Sequence, residues 1–418
     1  MTSIGGRIEP QRAKSPTAPV RNERTPSPWR MAGAIAIVAT GFLVVAAAYG
    51  LSLQANNPTT SDFIGYWVAG QQLAHDANPY DTQAIFQLEK RVGYDGLEPR
   101  LTPSPPVAVI LLLPLGYLSV KLGLFLWTMT QFACLSLSLW LLWKRHGRPP
   151  TMLHLLGFVF APAIACLQAG QLGLFFLLAL VLFLYFIETK PFLAGAFLLP
   201  CALKPHLFVP FGIVLVLWGL SSKAYRVLAG AGSMAIACSA LAWLFDPQVW
   251  RHYFVMARSA NLEDRYTPTL SVVLRQLVAW NAEWPRFVLL VIGCVWAVWY
   301  FWTRRDRWDW IDQGQTVLLA SVLCSPYAWF TDESLLLPAV LTGVLRAKQM
   351  HRSLVPFALA AGVALAEIAC TVKITTLFYI WTAPAWLACF VLATTQTNRD
   401  RQSRLEYPPA SSAAPRNQ

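Results

Sequence analysis

Long apolar runs recur along almost the whole chain, separated by short basic or proline-marked breaks. A helix needs about 20 apolar residues to cross the hydrocarbon core of a bilayer. Runs that approach or reach that length lie at roughly 31–53, 120–143, 151–167, 171–187, 191–203, 206–220, 225–245, 287–303, 314–330, 333–346, 354–370 and 375–396. A water-soluble fold would have to cover them with charge that the chain does not carry. Of 418 residues, 56% are hydrophobic and 13% charged, against about 25% charged in an ordinary soluble domain. The pattern predicts an all-α polytopic membrane protein of about 11–13 transmembrane helices. It excludes a secreted disulfide scaffold, a disordered protein and an ordinary cytosolic enzyme.

The net charge of +12, from 33 Lys and Arg against 21 Asp and Glu, is not that of a nucleic-acid binder. The basic residues stand in short clusters between apolar runs: Lys144, Arg145 and Arg148; Lys223 and Arg226; Arg304, Arg305 and Arg307; Arg346, Lys348 and Arg352. Positive charge is retained on the cytoplasmic side of a membrane. With the Arg-rich N-terminus inside, the loops 144–150, 188–190, 221–226, 303–313 and 346–353 and the C-terminus all fall on that side. The count holds only if the proline-bounded piece 104–118 is not a full crossing, and its shortness suits a half-helix dipping in from the surface. Residues 1–29 read as a disordered cytoplasmic tail, 30–396 as the membrane domain, with a signal anchor at 31–53, and 397–418 as a second disordered cytoplasmic tail. The eight cysteines all lie in apolar segments without metal-ligand spacing and read as small buried hydrophobes.

The opposite, external side collects the unusual residues. It holds two longer loops, about 54–102 and 246–286, and three polar interruptions: Gln168 to Gln171, Lys204 to His206, and Ser325 to Glu333. Polar groups beside hydrocarbon are costly and mark candidate functional sites. Asp62 follows the first span closely. It is either a reactive carboxylate near the membrane plane or the cap of a short helix, with Ser61 a further cap candidate. That helix is expected to lie in the interface with Phe63, Trp67 and Leu73 toward lipid. Asn78 to Asp81 is a turn signal. Gln168 and Gln171 offer amides for sugar hydroxyls, or cap two helix ends. Lys204, between prolines in an apolar run, calls for an anionic partner such as a phosphate, or else snorkels to the interface; His206 is either a hydrogen-bond donor beside it or a satisfied interfacial histidine. Arg251, His252, Arg258, Arg265 and Arg275, interleaved with Trp250, Tyr253, Tyr266 and Trp280, suit an anionic headgroup or a phosphate. Asp332 and Glu333 either bind sugar hydroxyls or mark the interface.

There is no phosphate-loop or dinucleotide fingerprint, no HExxH and no Asp-x-Asp pair for a metal-held nucleotide-sugar. No metal site or cofactor is expected from the motifs. A lipid or sugar transporter is the competing class, but no internal repeat is apparent and the charges sit at span ends.

The order DF…YW.A…L…NPYD, TPSPP.AVILLLPL, QAGQ, AGAFLLPCALKPHL and SPYAWFTDESLLLPA resembles glycosyltransferase family 87 over about residues 30–395. The resemblance implies a GT-C-type enzyme of the bacterial inner (plasma) membrane, with its active site on the external (periplasmic) loops. It implies a polyprenyl-phosphate-linked hexose, mannose by family analogy, as donor and an envelope glycan or glycolipid as acceptor. It places a catalytic general base just after the first span, the position of Asp62, and puts Tyr66 in the same motif among the substrate-binding residues. Lys204 and an external Arg would then stabilise the leaving phosphate, and Arg251 is counted among the substrate-binding residues. Gln168 and Gln171 match the family's Gly-Gln element in part. Thr331-Asp332 departs from the His expected there.

Overall fold

The computed structural model describes residues 61–259, 267–279, 281–370 and 377–406, with side chains to 394. The expected anchor at 31–53, Arg265, Tyr266, Trp280 and both chain ends lie outside the described residues. All regular structure in the described residues is helical. In order it comprises α1 (Phe63–Ala74), α2 (Thr82–Arg91), α3 (Pro106–Val109) and α4 (Val120–Arg145). Next come α5 (Ala161–Ala169), α6 (Gly173–Phe186), α7 (Pro191–Ala196), α8 (Val209–Ser221) and α9 (Tyr225–Phe245). The second half holds α10 (Val249–Ser259), α11 (Leu270–Val278), α12 (Pro285–Trp302) and α13 (Gln315–Leu323). The last three are α14 (Leu337–Gln349), α15 (Val355–Ala369) and α16 (Thr382–Glu406).

The molecule is a multi-pass membrane protein. Among the described residues, four helices are long and apolar enough to cross a bilayer: α4, α9, α12 and Leu377–Thr394. A 3₁₀ segment, Met152–Val159, and α5 make a fifth if taken as one span bent by 44°. The remaining apolar helices are shorter, and in the 191–220 stretch prolines interrupt them. Pro200 and Pro205 reduce the 191–207 region to α7 and two 3₁₀ turns, since a proline removes a helical donor and clashes with the preceding turn. Ile236 and Leu244 on α9, and Val291 and Val295 on α12, are exposed; apolar faces of this kind are tolerable only against lipid. The piece 104–118 forms α3 and a 3₁₀ segment, Ile110–Tyr117. Their combined rise of about 22 Å is short of the roughly 30 Å hydrocarbon core.

Four of the loops assigned to one side by charge meet in pairs. Arg145 pairs with Glu188, joining loops 144–150 and 188–190. Arg346 pairs with Asp312, joining 346–353 and 303–313. His146 bonds Thr342 at 3.2 Å, and Arg352 donates to the Leu392 carbonyl near the end of the last span. Lys144, Arg304 and Arg305 lie over the rings of Trp140, Tyr300 and Trp302, a cation–aromatic arrangement suited to a membrane edge.

Two local expectations change. α1 does not present Phe63, Trp67 and Leu73 to lipid: all three are buried. The Ile110–Tyr117 segment covers the helix at very short range, because Gly70 and Gly116 face each other. A Cβ at Gly116 would lie 2.1 Å from the Gly70 carbonyl oxygen. Gly116→Ala is therefore expected to destabilise the protein by about 1–3 kcal/mol, read as a lowered thermal midpoint in detergent. Gly212→Ala, where a Cβ meets nothing within 4 Å, is the control and should not lower it. At the other end of the chain, α16 continues past the boundary expected at 396 to Glu406. The polar stretch 397–406 lacks proline and glycine, so nothing within it breaks the helix.

Candidate functional site

At the opposite end of the bundle from the basic loops, the polar interruptions converge. Asp62 occupies the N-cap position of α1, yet its side chain makes no capping bond. Its carboxylate is turned elsewhere: Arg100 Nη1 donates to Oδ1 and Gln171 Nε2 to Oδ2. The Asp62 backbone N–H donates to the Ala169 carbonyl at 3.0 Å, which ties the start of α1 to the end of α5. The capping alternative for Asp62 thus finds no support in the geometry, and the carboxylate remains 39% exposed.

Gln171 reaches this position through the turn that ends α5. Gly170 has φ +67, the left-handed conformation that closes a helix at little cost only for glycine. The turn reverses the chain and aims Gln171 inward, while Gln168, the other amide of the motif, stays exposed on α5. Three further groups hold the turn. Trp127 Nε1 donates to the Gly170 carbonyl at 2.9 Å, and Gln131 Nε2 and Cys166 Sγ reach the Gln171 carbonyl. The Gln171 side-chain oxygen accepts from Tyr66 Oη at 2.9 Å and from Lys204 Nζ at 3.1 Å. With its oxygen facing two donors and its nitrogen facing a carboxylate, the amide has one sensible orientation. Tyr66 is itself stacked on Trp127.

Lys204 sits between two 3₁₀ turns, each begun by a proline that fixes the backbone around it. Its ammonium donates to Asp332 Oδ1 at 2.7 Å as well as to Gln171. Asp332 is 1% exposed, and its Oδ2 accepts from the Trp329 backbone N–H at 3.0 Å. Both oxygens are thus used internally. The expectation that Asp332 binds sugar hydroxyls is replaced by a counter-ion for Lys204, because burial has closed it off from substrate. His206 does not join the network; its ring stacks on Tyr327, centroids 3.8 Å apart. Arg251 is likewise elsewhere, on exposed α10.

Arg100 is the member that sequence reading missed. The polar loop before Thr102 gave no pattern to single it out. Its position is set from two sides. The Arg100 carbonyl lies against Gly65 of α1, where a Cβ would come within 2.4 Å. Its backbone N–H donates to both oxygens of Glu89 on α2. Burial pushes the Glu89 carboxyl up to about 7, against the pull of the Arg100 backbone N–H and guanidinium. Between its ordinary 4.5 and about 7 the folded state thus keeps a proton that the unfolded chain has lost. The associated stability is complete below about 4.5 and is lost as pH rises through 7. Glu89→Gln should flatten that loss. Thermal midpoints at pH 5 and pH 8 will differ less in the variant than in the parent; an unchanged difference rejects the assignment.

The two long loops also belong to this end. Ser271 Oγ donates to the Ser325 carbonyl at 2.8 Å, and Tyr80 packs edge-on against Tyr253. Among the described residues no three His, Cys, Asp or Glu side chains gather as a metal site. The arrangement therefore offers an accessible carboxylate flanked by a guanidinium, with an ammonium linked to it through one amide. Such a set can take a proton from a hydroxyl and stabilise negative charge developing nearby.

The family model for glycosyltransferase family 87 matches residues 104–326, more than half of the chain. The match contains Gln171 and Lys204; Asp62, Tyr66, Arg100 and Asp332 flank it. No curated protein and no solved structure matches.

Proposed function

Because the chain belongs to glycosyltransferase family 87, a GT-C membrane glycosyltransferase family, we propose that it transfers a hexose, mannose first, from a polyprenyl-phosphate donor to an envelope glycan or glycolipid. The reaction takes place on the external face of a bacterial plasma membrane, the basic loops and both termini lying in the cytoplasm. The observation that carries this reading is the Asp62 carboxylate, turned away from its helix and held accessible beside Arg100 and Gln171.

Asp62 is the general base. It takes the proton of an acceptor hydroxyl as that oxygen forms a bond to the anomeric carbon. The bond from the anomeric carbon to the phosphate oxygen breaks on the opposite face, and the electron pair leaves with polyprenyl phosphate, which inverts the configuration. The leaving group gains a negative charge. Lys204 has two of its three N–H bonds committed to Asp332 and Gln171, and the third is the natural donor to a phosphate oxygen. Arg100, 34% exposed, can turn its guanidinium from Asp62 to the incoming phosphate, which frees the base when the donor is bound. A phosphate sugar delivered within the bilayer suits a site framed by apolar helices.

The test uses purified protein with radiolabelled polyprenyl-phosphate-mannose, -glucose and -arabinose, and lipid extract from cells lacking the gene as the acceptor mixture. Label is expected to move from the mannose or the glucose donor into a glycan or glycolipid fraction, and transfer from the arabinose donor alone overturns the hexose assignment. Transfer from nucleotide-sugars alone overturns the donor assignment.

A further inference from the structure

A cavity of about 510 Å³ lies between the turn before α2 and helix α10. It is lined by Asn78, Asp81 and Gln83 on one side and by Gln248, Arg251 and His252 on the other, with Tyr80 in its wall. The size suits a small ligand. Several lining groups have one polar atom fixed by the fold and another left to the cavity. Asn78 Oδ1 is engaged by the Tyr80 backbone N–H, so its amide nitrogen remains. Asp81 Oδ1 caps α2 by accepting from the Gln83 and Ala84 N–H groups, so Oδ2 remains. His252 meets Asp246 Oδ2 through Nδ1 at 2.6 Å, which leaves Nε2. Donors and acceptors thus surround one space.

The mixture points to a class of ligand. A phosphate accepts hydrogen bonds from donors and is repelled by a carboxylate. This lining carries the Asp81 carboxylate with the Arg251 guanidinium, and neutral amides between them. A sugar hydroxyl both donates and accepts, and neighbouring hydroxyls on a ring match paired donor and acceptor groups. The cavity is also wired to the first site. Tyr80 Oη donates to the Ser104 carbonyl at 2.7 Å, and Ser104 Oγ donates to the Leu203 carbonyl at 3.2 Å. Leu203 immediately precedes Lys204.

We propose that this cavity is a carbohydrate subsite that holds hydroxyl-bearing, non-reacting sugar residues of the acceptor while its attacking hydroxyl lies at Asp62. The proposal rests on the transfer reaction proposed above. It gives Arg251, whose sequence context pointed to a phosphate, the task of binding sugar oxygens.

The test is saturation-transfer NMR on the full-length protein in nanodiscs, with methyl α-mannoside, methyl α-glucoside and an α-linked mannobiose as probes and glycerol 3-phosphate as the anionic comparison. Signal from at least one sugar probe is expected in the parent and in Asp62→Asn. It should fall roughly tenfold in Gln83→Ala/Arg251→Ala, the effect of losing about two hydrogen bonds. Both positions are exposed, and unchanged thermal midpoints will show that the double variant folds. Sugar signal lost in Asp62→Asn but kept in the double variant overturns the proposal, as does no sugar signal at all. Signal from glycerol 3-phosphate alone assigns the cavity to an anionic headgroup instead. Transfer from labelled donor is measured separately on the same preparations. If transfer fails while the cavity-dependent sugar signal stands, the transfer reading falls and the carbohydrate site does not.

Discussion

Asp62→Asn will leave the protein folded and inserted, and will lower sugar transfer by about 10²–10⁴-fold, the range for loss of a general base. The change is nearly isosteric and removes the group proposed to take the proton. Its structural cost is local. Gln171 Nε2 and Arg100 Nη1 both donate to the carboxylate, so an amide can satisfy one and must oppose the other. Gln171 cannot turn over to help, because its oxygen already accepts from Tyr66 and Lys204. One mismatched donor costs about 1–3 kcal/mol when buried, and less at a carboxylate that is 39% exposed. The measurement is the initial rate of transfer from polyprenyl-phosphate-mannose, or from whichever polyprenyl-linked donor proves active, at equal amounts of purified protein. Activity within a few fold of the parent would show that Asp62 is not the base.

Much of this arrangement was legible in the chain because polar residues in apolar surroundings are costly and so conspicuous. Asp62, Gln171 and Lys204 each interrupt or closely follow a hydrophobic run, and all three join one network. That certain loops lie together was legible from charge as well: loops 144–150 and 188–190 are joined by the Arg145–Glu188 pair, and 303–313 and 346–353 by the Arg346–Asp312 pair. Arg100 was not legible. An arginine in a polar loop is ordinary, and only the packing of Gly65 against its carbonyl brings it to Asp62. The choice between Gln168 and Gln171 depends on the left-handed turn at Gly170, which composition cannot orient. Burial of Phe63 and Trp67 was hidden as well. An aromatic face reads the same toward lipid as toward protein, and the covering segment arrives from residues 110–117.

Removing the Lys204 ammonium will damage stability and chemistry together, and a second substitution separates the two. In Lys204→Met the Asp332 carboxylate, 1% exposed, keeps the Trp329 N–H but loses its counter-charge. Breaking a buried ion pair from one side costs about 3–5 kcal/mol. A comparable loss is expected here, reduced to the extent that Lys204 is itself 13% exposed. Replacing both partners, as in Lys204→Met/Asp332→Leu, removes the stranded charge, and apolar replacements for a buried pair are often neutral. The double variant should therefore recover part of the stability, short of the parent by about 1–3 kcal/mol for the Trp329 N–H that loses its acceptor. Thermal unfolding followed with a thiol-reactive dye reads this as the rise above the signal of exposed Cys370, since Cys166 and Cys201 are buried and free. Transfer should stay low in both variants, because neither can offer an ammonium to the leaving phosphate. Equal stability of the two would mean that Asp332 does not depend on Lys204. Recovery of transfer in the double variant would mean that Lys204 only neutralises Asp332, and the search for the phosphate-binding cation would move to Arg100.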